Sequence, residues 1–346
     1  MFIKKSTPPL FSAILCNFLF FGLSSCSFSE SDSYEYSILP QGKDTAITSD
    51  FMQINIKNSI VLNIKTFNKL PIRELSGIAW DNDEKLLYAI SDSGYLYHLK
   101  LQFSGNPSQQ KLDSMKVVFA TELKDSNGKA LKGKYSDSEG LSLANGNNKK
   151  MGDSKLIISF ENKPRIANYT PQGELLSKVR IPKKLRKRKT YRSKNKALES
   201  VTYHPKYGVL TAAEYPIKKD SIGYQTLYAT SKNAKIKKWH FKAAKASNSA
   251  ITGLETLQDG TVLVLERAYK NPLIPIVINL RRLHLNDCNA KQECKIENIA
   301  RFDGADGWLL DNFEGLAHLQ GNEYLMVSDD NGNPFQKTIF LHFSIH

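Results

Sequence analysis

Short apolar runs separated by polar turn residues cover the chain from residue 51 to its C-terminus. The runs 86–90, 156–158 and 261–264 are typical, and turn residues such as Gly, Asn, Asp and Pro flank them. Runs of this kind indicate β-strands joined by tight turns, whereas no segment has the amphipathic pattern of a long helix. The pattern therefore predicts an all-β fold.

One motif of alternating apolar and small or acidic residues occurs five times. Its copies begin at Leu75, Ser138, Leu198, Ile251 and Phe313, so that 53 to 63 residues separate successive copies. Each copy is followed by a second apolar run that ends in an acidic residue. This spacing holds four short strands with their loops, which predicts a β-propeller with five four-stranded blades. A sixth, degenerate blade stays open as an alternative.

The N-terminal part of the predicted domain supplies strands that the last repeat lacks. After the fifth copy the chain has room for about three strands, whereas residues 52–67 contain two further strand-like runs. Closure of a propeller ring removes an exposed sheet edge. We therefore expect an N-terminal strand to complete the last blade.

The first 25 residues have the pattern of an export signal. Lys4 and Lys5 precede an apolar stretch that is too short for a stable membrane anchor. The stretch ends in Leu-Ser-Ser-Cys at 23–26, which resembles the lipobox of bacterial lipoproteins. This resemblance implies cleavage before Cys26, lipidation of that cysteine and, because residue 27 is not Asp, anchoring at the outer membrane if the cell is Gram-negative. An ordinary signal peptide or an uncleaved anchor is the alternative.

Two segments with different expected roles follow the signal. Residues 26–50 are rich in Ser, Asp, Glu and Tyr and lack periodicity, so we expect a flexible tether before a domain that spans residues 51–346. Within that domain Cys288 and Cys294 are close in sequence, which in an exported protein favours a disulfide across a short loop. A zinc site is disfavoured, since no further Cys or His lies nearby at ligand spacing.

Several stretches around the motif copies resemble the phytase-like propeller family described as "esterase-like activity of phytase". They are Glu-Leu-Ser-Gly-Ile-Ala-Trp at 74–80, Asp-Ser-Glu-Gly-Leu at 137–141, Asn-Lys-Ala-Leu-Glu-Ser-Val-Thr at 195–202, Asn-Phe-Glu-Gly-Leu-Ala at 312–317 and Val-Ser-Asp-Asp-Asn at 327–331. The resemblance covers residues 70–346. It implies a propeller that hydrolyses phosphoesters or related esters, and it is more specific for the fold than for the reaction.

The motif predicts two rings of side chains in the central channel, because the first strand of each blade lines that channel. The first ring comprises Ser76, Glu139, Glu199, Thr252 and Glu314. The acidic ends of the second strands form another ring, which comprises Asp92, Glu161, Glu214, Glu266 and Asp329. The eight carboxylates of the two rings are our candidate metal ligands.

Carboxylates that converge in one channel repel one another unless cations, basic side chains or protons neutralise them. Oxygen ligands without His or Cys favour Ca²⁺ over zinc, and another divalent cation stays open. The alternative is a structural ring, in which the carboxylates bond to backbone amides and to nearby arginines.

A metal in this channel would support hydrolysis of a phosphoester or a related ester. The candidate catalytic residues are Glu139, Glu199 and Glu314. The candidate contacts to an anionic substrate are Arg165, Arg267 and Lys196. The alternative function is a non-catalytic envelope lipoprotein that binds a ligand or a protein partner.

Charge adds one feature to this interpretation. The formal net charge is +14, and nine Lys or Arg residues lie between Lys183 and Lys196 without an acid. This run is either a solvated loop or a contact for anionic small molecules or envelope polymers. Since the chain is predicted to be exported, we expect no nucleic-acid partner, and we expect a monomer.

Overall fold

The computed structural model of the protein describes residues 32–40, 52–106, 110–193, 196–230, 237–271 and 273–346. Apart from three short 3₁₀ turns at Gly133–Tyr135, Arg188–Thr190 and Gly304–Asp306, the regular structure of these residues is β-strand. No helix in the described residues is long and apolar enough to cross a membrane. The predicted all-β class is confirmed.

The structure contains 23 strands in its described residues. They are β1 (Ser33–Glu35), β2 (Ile54–Leu62), β3 (Thr66–Phe67), β4 (Leu70–Pro71), β5 (Leu75–Asp81), β6 (Leu86–Ser91), β7 (Tyr95–Ser104), β8 (Lys111–Glu122), β9 (Ser138–Ala144), β10 (Lys155–Phe160), β11 (Arg165–Tyr169), β12 (Leu175–Val179), β13 (Leu198–His204), β14 (Gly208–Ala213), β15 (Tyr224–Ala229), β16 (Lys238–Lys242), β17 (Ser249–Thr256), β18 (Val262–Ala268), β19 (Val277–Cys288), β20 (Cys294–Asp303), β21 (Asn312–His318), β22 (Glu323–Asp329) and β23 (Ile339–Ile345).

Five antiparallel sheets built from these strands form the blades of a propeller. From the channel outward, blades 1 to 4 are β5–β8, β9–β12, β13–β16 and β17–β20. Blade 5 consists of β21, β22 and β23, followed by β2 and β1 from the N-terminal region. The innermost strands contact one another around the ring, including β21 with β5. The five-bladed prediction is confirmed, and the described residues contain no sixth blade.

The ring closes through the pairing of β2 with β23, in which Ile60 lies opposite Phe340. This closure confirms the expected role of the N-terminal strand. The strands β3 and β4 pair only with each other and form a separate small hairpin.

Residues 32–40 belong to the propeller and not to the predicted tether. Strand β1 pairs with β2, and the Ser33 hydroxyl accepts a hydrogen bond from the Met115 amide at 3.0 Å. Ile38 is 1% exposed and packs in the core of blade 5. The apolar residues Tyr36, Ile38 and Leu39 supply this anchor, which the polar composition of the segment concealed. The predicted signal, Cys26 and the rest of the tether lie outside the described residues.

A separate cluster of buried apolar side chains fills each interface between neighbouring blades. The cluster between blades 4 and 5, for example, joins Leu263 and Phe302 to Phe313 and Phe343. Four equivalent clusters fill the other interfaces. Because neighbouring blades cover both faces of each sheet, second strands such as β6, β10 and β18 are almost wholly buried and largely apolar, whereas outer strands such as β8 and β12 keep exposed polar residues.

Every innermost strand has a β-bulge at the same position of the repeat. The pairing with the second strand shifts register at Ser76, Glu139, Glu199, Thr252 and Glu314. A bulge leaves one residue without a partner and re-aims its side chain. The repeated bulge therefore places the five residues of the first predicted ring at equivalent points of the channel.

Glycine follows the bulge residue in four blades because neighbouring innermost strands approach closely there. A Cβ on Gly140 would lie 2.7 Å from the Val201 nitrogen and 2.8 Å from the Ser200 Cα, both backbone atoms of the next blade. On Gly77 it would lie 2.7 Å from the Glu139 carbonyl oxygen. These contacts are too short for any side chain.

We expect the Gly140→Ala substitution to destabilise the protein by about 1–3 kcal/mol, because the blades must move apart to admit the methyl group. Urea unfolding followed by circular dichroism measures this change. The control is Gly304→Ala, where the nearest atom would lie at 3.2 Å. Equal stabilities of the two variants would contradict the close approach.

A disulfide joins Cys288 to Cys294 at the turn between β19 and β20, as the sequence predicts. The turn that it closes also contacts blade 3, where the His240 amide donates to the Gln292 carbonyl oxygen at 2.8 Å. The disulfide thus supports the interface between two blades.

Candidate functional site

Carboxyl side chains converge at one mouth of the channel, where the innermost strands begin and the second strands end. We call this region the acidic mouth and define it by Asp92, Asp137, Glu139, Glu161, Glu199, Glu214, Glu314 and Asp329. Each lies at or directly beside the end of a first or second strand, and blades 1, 2, 3 and 5 contribute. The structure therefore brings seven of the eight predicted metal ligands together.

Three groups within the acidic mouth are close enough to share a cation. In each group, one oxygen from every member lies within 4.8 Å of the others. The groups are Asp137, Glu139 and Glu161; Glu139, Glu199 and Glu314; and Glu161, Glu199 and Glu214. Because Glu139, Glu161 and Glu199 each belong to two groups, the carboxylates form one connected cluster. Buried clusters of this composition can bind a metal ion.

Arg267 and Lys196 form ion pairs with part of this cluster. Arg267 bonds Glu314 through Nη1, and its Nη2 lies 3.4 Å from Oε1 of Glu214. Lys196 Nζ lies 3.0 Å from Oε2 of Glu214. The amide of Asn312 also donates to Glu314, at 2.8 Å. Two of the carboxylates thus have cationic partners, and the cluster as a whole keeps more acids than bases.

The structure corrects the prediction for Glu266. In blade 4 the residue before the bulge, Ile251, pairs with Glu266, so the next residue, Arg267, takes the position that an acid holds in the other blades. Adjacent residues of a strand point to opposite faces. Glu266 consequently points away from the mouth and bonds Arg281 at 2.7 Å and Ser249 at 2.8 Å.

Two of the five bulge residues, Ser76 and Thr252, are not acidic, and their hydroxyls join neighbouring blades. The Ser76 hydroxyl donates to the Ser138 carbonyl oxygen at 2.8 Å, and the Thr252 hydroxyl donates to the Phe313 carbonyl oxygen at 3.1 Å. Both bonds connect one innermost strand to the next, so these two positions of the first ring are structural.

Burial raises the pKa of most carboxyls of the acidic mouth, and repulsion from neighbouring carboxylates adds to the rise at several of them. Burial first, and neighbouring carboxylates second, hold the pKa of Glu139 and Glu199 well above the usual range. The same causes raise the pKa of Asp329 to about 9. Burial raises the pKa of Glu161 to about 8, although its carboxylate accepts a hydrogen bond from the Ala197 amide at 2.9 Å.

Asp92 has one buried carboxylate oxygen without a donor in the described part of the chain, although Ser76 offers this side chain a hydrogen bond that lowers its pKa. Burial and the charge of Glu314 raise the pKa of Asp92. Its Oδ1 atom is buried without a hydrogen-bond partner among the described residues. A buried acceptor without a donor is costly, and a bound cation would remove that cost.

Sequence reasoning missed Asp137, although this residue begins the motif copy at 137–141. Its Oδ2 accepts a hydrogen bond from the Asn162 amide at 2.6 Å, and Asn162 accepts one from Arg188 at 3.0 Å. Asn312 begins the last quoted motif copy and also contacts the cluster. An alignment of the copies from one residue earlier would have found both.

The basic run borders the acidic mouth through Arg188. Part of this run lines a cavity of about 380 Å³, together with Lys218 from the next loop. The residues around the cavity are Arg188, Lys189, Tyr191, Arg192, Ser193 and Lys218. Two backbone carbonyl oxygens hold Arg192, those of Pro216 at 2.8 Å and Asp220 at 2.7 Å. The described part of the run, residues 183–193, therefore forms a folded, cationic rim.

The predicted substrate contacts have partners within the protein. Lys196 and Arg267 pair with the cluster, as described above. The guanidinium carbon of Arg165 lies 3.6 Å from the centre of the Phe160 ring, and Arg165 also donates to the backbone oxygens of Tyr135 and Lys163. These three side chains are held by contacts within the protein. The cavity of the basic rim offers further cationic groups that could contact a substrate.

The channel narrows to a void of about 10 Å³ at the level of the bulges. Gly77, Gly140, Gly253 and Gly315 line this constriction. A void of that size holds no more than a single water. The acidic mouth is therefore a closed-ended site and not the entrance to an open pore.

Known proteins place this architecture in a family. The family described as "Phytase-like: Esterase-like activity of phytase" matches residues 70–332, most of the chain and every blade. The chain belongs to this family. The match agrees with the resemblance seen in the repeat copies, and no curated protein matches the chain.

Solved structures similar to this phytase-like propeller share little sequence with it. A gluconolactonase from Xanthomonas campestris is 9% identical with a TM-score of 0.40, and the alignment covers 89% of this chain and 97% of that one. The β-propeller domain of Cps50 (Swd1) from Myceliophteria thermophila is 8% identical with a TM-score of 0.36, covering 85% and 100%. Similarity at this level says nothing about the activity of this chain.

We expect the phytase-like propeller to lose stability as the pH rises when a chelator removes divalent cations. When the pKa of an acid is higher in the folded than in the unfolded state, ionisation of that acid as the pH rises lowers the free energy of unfolding. Glu161 and Asp329, with pKa values of about 8 and 9, therefore weaken the fold between about pH 5 and pH 9. Melting temperatures in EDTA across this range measure the loss.

Calcium provides the control for this pH series. If carboxylates of the acidic mouth cause the loss, calcium at about 5 mM should flatten the profile of melting temperature against pH. This concentration is on the order of tens of times a sub-millimolar Kd. A profile that calcium leaves unchanged would contradict the assignment.

Proposed function

We propose that this phytase-like propeller is a divalent-cation-dependent hydrolase of phosphoesters or related esters, with its site at the acidic mouth. One observation supports this most strongly: three carboxylate groups share members, each group has its oxygens within 4.8 Å of one another, and Arg267 and Lys196 pair with only two of the described carboxylates, Glu214 and Glu314. The family description points to the same class of reaction.

The residues of the acidic mouth fit a hard divalent cation. All the donors are carboxylate oxygens, which suit Ca²⁺ or Mg²⁺ and not zinc. Glu139, Glu161 and Glu199 would hold it, because each belongs to two of the groups. When bound, such a cation supplies positive charge that polarises an ester oxygen and favours deprotonation of water.

The chain's own side chains divide the remaining tasks. Glu314 and Glu214 are fixed by Arg267 and are the least available to move a proton. Glu139 and Glu199 form no ion pair among the described residues and would accept a proton from water. Burial and neighbouring carboxylates raise their pKa, and a bound cation would oppose that rise and keep them ionised. The cationic rim around Arg188 and Lys189 would hold the anionic part of a substrate.

Assays on the purified protein test the proposed function. Release of phosphate or of p-nitrophenol from p-nitrophenyl phosphate and p-nitrophenyl acetate is followed with calcium, with magnesium and with EDTA. We expect turnover that EDTA abolishes and calcium restores. Calcium binding without turnover of either ester would instead support a non-catalytic binding protein.

We further propose that the protein is exported and anchored by a lipid on Cys26. The Leu-Ser-Ser-Cys sequence at 23–26, behind Lys4, Lys5 and an apolar stretch, supports this proposal. Expression of wild type and Cys26→Ser with radiolabelled palmitate in a Gram-negative host tests it. We expect label and membrane association in the wild type only, and label in neither protein would refute it.

A further inference from the structure

The face of the propeller opposite the acidic mouth has two cavities that meet at one tyrosine. One cavity, of about 390 Å³, occupies the channel mouth where the innermost strands end, and we call it the distal mouth. The other, of about 660 Å³, is a groove between blades 2 and 3, and we call it the cationic groove. Tyr203 lines both cavities and is 42% exposed.

The distal mouth combines aromatic surface with amide and hydroxyl groups. Trp80 and Tyr203 supply the aromatic surface, and Thr202 and Thr256 supply hydroxyls. Four amides line the cavity as well, those of Asn82, Asn145, Asn147 and Asn148. None of the described residues that line it is Lys or Arg. Amides both donate and accept hydrogen bonds, and aromatic faces pack on apolar C–H surfaces, so the cavity suits a polyhydroxylated ring.

Two further features of the distal mouth favour a hydroxyl-rich ligand. Burial raises the pKa of Glu255 to about 8 although the His318 backbone bonds to it, which favours the protonated carboxyl that can donate as well as accept a hydrogen bond. The indole Nε1 of Trp80 has no hydrogen-bond partner among the described residues. A ligand hydroxyl can pair with the Glu255 carboxyl, and with the Trp80 nitrogen only after the indole moves, because that atom is buried.

The asparagine-rich turn of the distal mouth is held in place before any ligand arrives. The backbone amides of Asn148 and Lys149 donate to the carboxylate of Asp83 at 2.7 and 3.0 Å. The backbone amide of Asn82 donates to the Gly146 carbonyl oxygen at 2.7 Å. A preformed wall lowers the entropy cost of binding.

The cationic groove has the opposite charge to the acidic mouth. Its lining includes Lys155, Arg180, Lys206 and Lys237, and no acid among the described residues. In the described part of the chain, none of these four side chains forms an ion pair. Tyr207 fixes the floor, with its ring 4.7 Å from that of His204 and 4.9 Å from that of Trp239.

We propose that this face binds an acidic oligosaccharide, with one sugar ring in the distal mouth, the chain packed on Tyr203 and its carboxylate or phosphate groups in the cationic groove. Charge complementarity selects an anion for the groove, whereas the amides and aromatic rings select hydroxyl-rich rings for the mouth. The constriction of about 10 Å³ separates this site from the acidic mouth. The binding site therefore does not depend on hydrolysis at the other face.

Calorimetric titration of the full-length protein tests the proposal with ligands that differ in one property each. The probes are tetragalacturonate, a tetramannoside with a terminal phosphate, fully methyl-esterified tetragalacturonate and a hexaglutamate peptide. We expect at least one of the two acidic sugars to bind, and about tenfold more tightly than both the neutral ester and the peptide. The stronger of the two acidic sugars identifies the anionic group.

Two variants and their controls locate the site. Tyr203→Ala should weaken binding of the acidic sugar about tenfold, because the shared aromatic surface is lost. The triple variant of Lys155, Lys206 and Lys237 to Gln should abolish the preference for the acidic sugar over its methyl ester. The controls, Phe335→Ala and the triple variant of Lys100, Lys111 and Lys116 to Gln, change exposed residues elsewhere and should bind as the wild type does.

Three results would overturn the proposal. They are absence of binding by both acidic sugars, equal binding of hexaglutamate, and wild-type affinity of the Tyr203→Ala variant. Phosphatase or esterase assays on the same variants separate this proposal from the proposed function, because turnover at the acidic mouth should not change.

Discussion

The Glu139→Gln/Glu199→Gln double variant should melt at a higher temperature than the wild type in EDTA and at a lower one in calcium. In EDTA the substitution removes two buried acids whose ionisation is opposed by burial and by their neighbours. In calcium the wild type gains about 2.7 kcal/mol at a concentration one hundred times Kd, whereas the variant lacks two ligands. The protein with the higher melting temperature is therefore the variant in EDTA and the wild type in calcium.

Hydrolysis by the same double variant should fall at least about 100-fold, the usual contribution of a positioned acid–base group. Differential scanning fluorimetry measures the first effect and p-nitrophenol release the second. The control is the double variant Glu35→Gln/Glu174→Gln, which changes two exposed carboxylates outside the acidic mouth. Equal calcium shifts in the Glu139/Glu199 variant and the wild type would rule out the cluster as the cation site.

Substitution of Arg267 by Gln should cost about 3–5 kcal/mol of folding stability near neutral pH in EDTA, because it leaves buried Glu214 and Glu314 without their guanidinium partner. The loss should shrink as the pH falls and the Glu314 carboxyl, whose pKa burial raises, takes up a proton. Urea unfolding at several pH values measures both effects.

Arg301 provides the comparison for Arg267. It pairs with Asp303 at 2.6 Å, but its side chain is 33% exposed, so Arg301→Gln should cost no more than about 1 kcal/mol. A loss of similar size in the two variants, or a loss at Arg267 that does not change with pH, would show that Arg267 does not neutralise the acidic mouth.

The contrast between Glu266 and Arg267 shows where sequence reasoning ends. The repeat copies predicted the propeller, its five blades and its closure, because each depends on strand periodicity and spacing, which are local properties. The ring position in blade 4 depends on a one-residue register, which the pairing with Ile251 defines. Because side chains alternate along a strand, an error of one residue exchanged a base for an acid.

Asp137 and residues 32–40 show two other limits. Asp137 precedes the repeat as it was aligned, so its contact with Glu139 and Glu161 emerges only from the folded strands. Residues 32–40 have a polar composition typical of a tether, yet a few apolar side chains suffice to hold them on blade 5. Neither the cationic groove nor the distal mouth has a sequence signature, since most of their lining residues lie outside the repeat positions that predicted the acidic mouth.

Closure of the ring through β2 and β23 also has a kinetic consequence. These strands lie at residues 54–62 and 339–345, so the two halves of blade 5 come from opposite ends of the domain. Contacts between such distant segments form slowly, because nearly the whole chain must be ordered before they can stabilise it. During synthesis the last blade stays incomplete until β23 has been made, so the ring cannot close before nearly the whole domain is available.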